Sequence, residues 1–173
     1  METLNDAGVP AIAEDRHEEI VRIEIEREGN IELIAIEVEE REDLLDHVRE
    51  RLCLAREILI FERGGDLPLT KHPHGRKALR LVGHRHPQIL VKVNFEHRTA
   101  EATFSPANTV FKVLQWAVGK KGFDLDPMSA ARANLILPGA ESPLPRESAI
   151  GAFTQNGEHT LVVALTLKDF TNG

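Results

Sequence analysis

The chain carries the same order of secondary-structure signals twice, and this repeat is the strongest constraint on its fold. Each copy begins with two alternating strands, continues with an amphipathic helix and short strands, and closes with an apolar strand. The first copy spans residues 18–83 and the second spans residues 89–168. Strands and helices mixed in this way predict an α+β fold, here built as two small tandem domains.

The second copy has the clearer pattern. Alternating apolar residues predict a strand over 89–95 and another that ends at Phe104. Thr109 is a good N-cap for a helix whose apolar stripe is Val110, Val113, Leu114, Ala117 and Val118, with a stop at Gly122. The last strand, 160–167, is nearly continuous in Leu and Val, which predicts a central strand packed on both faces.

The first copy repeats this order with weaker boundaries. Val21, Ile23 and Ile25 alternate, and Asp43 is a candidate cap for a helix with the stripe Leu44, Leu45, Val48 and Leu52. Strands are expected at 58–61 and 78–82. The linker, 84–88, is too short for free tumbling, so we expect a limited range of domain orientations. Residues 1–17 are expected to be a disordered segment.

Composition excludes several classes of function. The net charge of −7 argues against binding of nucleic acid, because such binding depends on Lys and Arg that neutralise phosphates. The acidity is concentrated in residues 18–50, which hold 13 acidic residues against 4 arginines. No apolar run reaches the ~20 residues that span a bilayer, so no membrane partner is expected. Because a lone cysteine cannot form an internal disulfide, a reducing cytoplasm is the expected location.

The side chains that could carry chemistry are interpreted as structural. We expect Cys53 to be a buried core thiol, and the carboxylates of Glu39, Glu40, Glu42 and Asp43 to form a solvated face. The paired histidines, His72 with His74 and His84 with His86, are expected to be solvated loop residues without a metal. No phosphate loop, nucleophile elbow or HExxH motif is present, so neither enzymatic activity nor a cofactor is expected.

Two further residues, Trp116 and Gly83, could have a functional role. Trp116 lies off the helix stripe, so it is either an exposed anchor for a partner or part of the core. Gly83 ends the first copy, but we expect the two copies to stay joined as a permanent tandem rather than to be cleaved apart there.

The sequence ends at Gly173 after a short polar tail. A terminal glycine lets a chain end enter another protein's active site without a side-chain clash. We therefore expect residues 169–173 to be a flexible conjugation tail, with Gly173 as the acyl donor. The residues recognised by partner enzymes would be Lys168, Asp169, Phe170, Thr171 and Asn172.

Several segments of the second copy resemble ubiquitin-fold (β-grasp) domains. Residues 99–110 resemble ubiquitin's second strand and helix entry, residues 135–139 its Leu-Ile-Phe-Ala-Gly hairpin, and residues 160–167 its final strand. Two such domains in tandem are similar to the bacterial two-domain, BilA-like modifiers of the Bil anti-phage operons. The fold implied is two tandem ubiquitin-like β-grasp domains.

The resemblance also implies a function and partners. An adenylating (E1-like) enzyme would activate the terminal glycine, a conjugating (E2-like) enzyme would transfer it to a target lysine, and a metalloprotease would reverse the linkage. The implied target is a phage structural protein. Thr166 and Lys168 stand where ubiquitin has arginines, which points to a dedicated activating enzyme. The implied partner surface includes Ile136 and Ala164, with Trp116 as a further candidate. The alternatives are a tandem adaptor that is never conjugated and a sulfur carrier.

Overall fold

Two four-stranded sheets, one in each half of the chain, form the framework of the protein. They are seen in a computed structural model that describes Gly8 and residues 19–41, 43–155 and 157–170. The first half contains β1 (Ile20–Arg27), β2 (Asn30–Glu39), α1 (Leu44–Arg51), β3 (Leu59–Glu62) and β4 (Ala78–His84). The second contains β5 (Ile89–Phe95), β6 (Arg98–Phe104), α2 (Val110–Val118), α3 (Pro127–Arg132), β7 (Asn134–Ile136), a 3-10 turn (Ile150–Phe153) and β8 (Thr160–Thr166).

The two sheets have the same topology. Their strand orders are β2-β1-β4-β3 and β6-β5-β8-β7, so the first and last strands of each half are parallel neighbours in the centre. The flanking pairs are antiparallel. The α+β class and the tandem arrangement predicted from the repeat are thereby confirmed. Among the described residues, no helix has the length and apolar character that a membrane span needs.

Each sheet buries one face beneath a helix. In the second half the predicted helix stripe is buried against β5 and β8, and only Val118 is less than fully covered. The Thr109 hydroxyl caps α2 by accepting from the Lys112 N–H at 3.2 Å, as expected. The helix ends one turn early, with Gly119 as its C-cap rather than Gly122. Asp43 occupies the N-cap position of α1 but makes no side-chain cap, because its carboxylate pairs with Arg41.

Candidate docking face and C-terminal stem

The second sheet leaves one face uncovered, and an apolar patch lies in its middle. Ile136 of β7 is the register partner of Ala164 of β8, and Val162 lies two residues before Ala164 on the same side. Leu90 of β5 pairs with Thr160, two residues before Val162, and so lies on the same face. We call these four residues, Leu90, Ile136, Val162 and Ala164, the outer apolar face.

The prediction that β8 is packed on both sides is wrong. Leu161, Val163 and Leu165 are buried, whereas Val162 is 39% exposed. The reason is that the helical layer covers only one face of the sheet, so alternate residues of a central strand still face outward. Val162 and Leu90 were therefore not among the residues predicted for a partner surface. The apolar run of β8 is nearly continuous, so its sequence does not mark Val162 as the outward residue.

Trp116 does not share this face. It packs partly buried against the core beneath the sheet, and its ring meets that of Phe104 edge-on at 5.5 Å between centroids. Of the two alternatives left open for this side chain, the core role agrees with its packing. The three residues predicted for a partner surface therefore do not form one surface. Ile136 and Ala164 are neighbours, whereas Trp116 lies on the opposite side of the sheet.

A short segment without regular secondary structure, residues 167–170, follows β8, and we call it the stem. The Arg132 guanidinium donates to the Leu167 carbonyl at 3.2 Å, and the Lys168 N–H donates to the Thr166 hydroxyl at 3.1 Å. Beyond these bonds Lys168 and Asp169 are exposed, and the Lys168 ammonium lies 5.7 Å from the centre of the Phe170 ring. Of the predicted conjugation tail, Thr171, Asn172 and Gly173 lie outside the described residues.

The corresponding face of the first sheet is covered by the second domain. Phe61 of β3 and Val82 of β4 are register partners, as Ile136 and Ala164 are in the second sheet. Both are fully buried in a cluster with Ala107 and Ala149 of the second domain. The two sheets are topologically equivalent, yet the domain contact leaves only the second with this face open among the described residues.

Two glutamates of the first domain, Glu26 of β1 and Glu28 of the turn that follows it, bind the second domain. The Ala149 N–H donates to Glu26 at 3.1 Å, and the Gly157 N–H donates to Glu28 at 2.8 Å. Burial raises the pKa of Glu26 more than the Ala149 N–H and nearby arginines lower it. Burial also acts to raise the pKa of Glu28, but the Gly157 and Arg85 hydrogen bonds outweigh it, and that pKa is lowered.

His84 completes the contact, and the expectation that it is a solvated loop residue is wrong. It is the last residue of β4, so this strand runs into the predicted linker, and its side chain is fully buried. Its Nε2–H donates to the Thr154 hydroxyl at 2.9 Å, while its Nδ1 accepts from the His86 N–H at 3.0 Å. The Thr154 hydroxyl in turn donates to the Gly151 carbonyl, which assigns the neutral Nε2–H tautomer.

The domain contact is expected to weaken in mild acid through His84. Burial lowers the pKa of His84 from 6.5, more than nearby Glu28 raises it. A depressed pKa means that the folded state resists protonation, so this contribution to stability is complete above about pH 6.5 and is lost as pH falls through the folded pKa. The loss is at most about 1.4 kcal/mol per pH unit.

Urea denaturation at pH 7.5 and 5.5 measures this effect by comparing the wild type with His84→Gln, which keeps a donor but cannot titrate. The difference in unfolding free energy between the two proteins should shrink at the lower pH. Glu26 is present in both proteins, so its titration cancels in the comparison. The lowered pKa of Glu28 keeps that carboxylate ionised at both pH values in the wild type. A difference that is equal at both pH values would contradict the prediction.

Three other sequence expectations fall on the first domain. Cys53 is exposed rather than buried, because the chain turns outward at the end of α1 with a positive φ of 50°. His72 is buried rather than solvated, at 4% exposure, whereas His74 is exposed. Glu39 and Asp43 are exposed as expected, Glu40 is half-buried, and Glu42 lies outside the described residues.

Each half of the chain thus has two strands, a helix and a last strand that returns to the sheet centre beside the first. This is the β-grasp arrangement, and a protein that carries it twice is a tandem ubiquitin-like protein. Residues 90–168 match the family model of the BilA ubiquitin-like domain 2, so the second half of the chain is similar to a ubiquitin-like domain of the Bil system. The fold is that of a modifier rather than of a catalyst. No curated protein sequence matches the chain significantly.

Proposed function

We propose that the chain is a protein modifier that partner enzymes attach to target proteins through the carboxylate of Gly173. The observation that carries the proposal is the match of residues 90–168 to a BilA ubiquitin-like domain, which ends just where β8 passes into the exposed stem at Lys168. In a ubiquitin-like modifier the strand that ends the domain leads into the conjugated tail, and β8 occupies that place.

The chemistry of attachment requires enzymes that the chain does not supply. A carboxylate is a poor acyl donor, so its oxygen would first attack the α-phosphate of ATP, releasing pyrophosphate and forming an acyl-adenylate. A thiolate of the conjugating enzyme would displace AMP, and the amine of a target lysine would then displace the thiol to leave an isopeptide bond. A metalloprotease would hydrolyse that bond. These steps need an extended stem with a small tip, for which glycine is suited.

The outer apolar face would serve as the surface on which these enzymes dock. It is apolar, it lies on a rigid sheet, and it is bordered by the Lys92–Glu101 ion pair at 3.6 Å. A small apolar centre within a polar rim is typical of protein interfaces. We place the chain in the cytoplasm, where the activating enzyme and ATP would be available, and propose a phage structural protein as target in an anti-phage role.

A tryptic mass-spectrometric search tests the attachment. In cells that express the protein with its partner enzymes, cleavage after Lys168 should leave Asp-Phe-Thr-Asn-Gly on a target lysine. Deletion of Gly173 should abolish this remnant, whereas Gly8→Ala, a glycine change made in open space, should leave it unchanged.

The competing function is a tandem adaptor that binds partners without being conjugated. The exposed outer apolar face favours it, because that surface would bind partners equally well without any covalent step. The adaptor predicts no remnant in the presence of active partner enzymes and no effect of deleting Gly173 on phage yield. Either result would replace the modifier proposal, and a thiocarboxylate on Gly173 would instead identify a sulfur carrier.

A further inference from the structure

Three potential metal ligands converge at one end of the first domain, away from the outer apolar face. Glu40 follows β2 directly, and His72 and His74 lie in the loop that joins β3 to β4. Glu40 Oε1 lies 4.0 Å from His72 Nε2 and 3.6 Å from His74 Nδ1, and one ligand atom from each of the three residues lies within 4.8 Å of the others. We call these three residues the Glu40–His72–His74 cluster.

His72 has an unexplained buried nitrogen. Its side chain is only 2% exposed, and its Nε2 has no hydrogen-bond partner. The 4.0 Å to Glu40 is well beyond the 2.7–3.2 Å of an N–H···O hydrogen bond. A buried polar atom without a partner costs about 1–3 kcal/mol, so native proteins rarely retain one without a reason. A ligand between His72 and Glu40 would supply that reason.

The surrounding backbone holds the carboxylate in place. The Gly75 N–H donates to Glu40 Oε1 at 2.8 Å. Gly75 has a φ of 71°, a left-handed conformation that glycine adopts readily. This bond orients Glu40 as the partners of metal-bound carboxylates do. His74, with a side chain 66% exposed, is able to turn toward a ligand.

We propose that the Glu40–His72–His74 cluster binds a divalent transition-metal cation of the zinc class. Imidazole nitrogens and a carboxylate suit Zn²⁺, and three protein ligands leave a fourth tetrahedral position for water. Ligand atoms around tetrahedral zinc stand about 3.4 Å apart, given metal–ligand distances near 2.1 Å. The cluster would therefore contract by up to about 1.4 Å, mostly through rotation of the exposed His74. The bound ion would join the end of β2 to the β3–β4 loop and stabilise a small domain.

Metal titration of the full-length, tag-free protein tests the site. After the protein is stripped with chelator, Co²⁺ should bind at one ion per chain and give visible d–d absorption, and Zn²⁺ should displace it. Zinc should also raise the melting temperature, because a ligand that binds only the folded state stabilises it. His74→Ala should weaken zinc affinity at least tenfold, and Glu40→Gln should weaken it as well. His97→Ala, which removes an exposed histidine from the other domain, should change nothing.

The variants are chosen so that a folding defect cannot be mistaken for a lost site. His74 is exposed, so its replacement should leave the fold intact even if His72→Ala does not. Equal zinc affinity in the wild type and His74→Ala would overturn the proposal, as would absence of binding at near-millimolar zinc. The alternative is a protonated His72 paired directly with Glu40. A His72 ring that is doubly protonated by NMR at neutral pH and unmoved by zinc would establish that alternative.

Discussion

Replacing Phe61 with alanine is expected to lower the free energy of unfolding by about 3–5 kcal/mol, the usual cost of deleting a large buried aromatic side chain. Phe61 is fully buried between the first sheet and the second domain, where it packs with Val82, Ala107 and Ala149. The cavity would lie at the centre of the domain contact. Hydrogen bonds from Glu26 and His84 join the two domains across the same contact, so the contact has little freedom to collapse around the gap.

Urea denaturation followed by far-ultraviolet circular dichroism measures this loss. Phe111→Ala is the matched control, because Phe111 lies on α2 with 42% of its surface exposed. That change should cost clearly less than the Phe61 replacement, because Phe111 keeps 42% of its surface in water and its removal leaves a smaller gap. Equal losses for the two variants would show that the domains do not pack through Phe61. A second, earlier transition in the Phe61 variant would show domains that unfold separately.

Replacing Ile136 with aspartate is expected to weaken docking of the activating enzyme by about 30-fold, the equivalent of about 2 kcal/mol at an interface hot spot. Ile136 lies on the edge strand β7, at the side of the outer apolar face where it neighbours Ala164. A carboxylate there would have to be desolvated against an apolar partner surface. Its side chain is half-buried and lies outside the core, so the domain itself should remain folded.

Binding of the purified activating enzyme, together with the rate of thioester formation, measures the effect. Ile31→Asp provides the control, because it makes the same substitution at an isoleucine on β2 that is 74% exposed. Full activity in both variants would exclude the outer apolar face as the docking surface. Loss in both would indicate a general effect of added negative charge.

The structure also explains why a tandem protein would present a single docking face. In each sheet the last two strands bring an apolar pair to the outer side, Phe61 with Val82 in the first and Ile136 with Ala164 in the second. The first pair is buried in the domain contact. Under the proposed function, partner enzymes would therefore engage the domain that also carries the stem, and the first domain would act as a rigid extension.

Local periodicity by itself determined most of the elements and their order, although it predicted neither α3 nor the 3-10 turn. The alternation of Val21, Ile23 and Ile25 and the α2 stripe from Val110 to Ala117 follow from the two-residue and 3.6-residue repeats of strand and helix. Because the same signals occur twice, the tandem α+β fold could be read directly from the chain. The Thr109 cap could be predicted for the same reason, since capping acts over only three residues.

Only the tertiary structure decided which side chains are buried between distant segments. His84 is buried against Thr154, which lies 70 residues away in the sequence. His72 is buried near Glu40 at the end of β2, whereas Cys53 turns outward at the end of α1. Val162 is exposed because no second helical layer covers its sheet. A sequence pattern reports a residue's neighbours along the chain, and burial depends on surfaces that meet only after folding. Tertiary contacts of this kind form the outer apolar face, the domain contact and the Glu40–His72–His74 cluster.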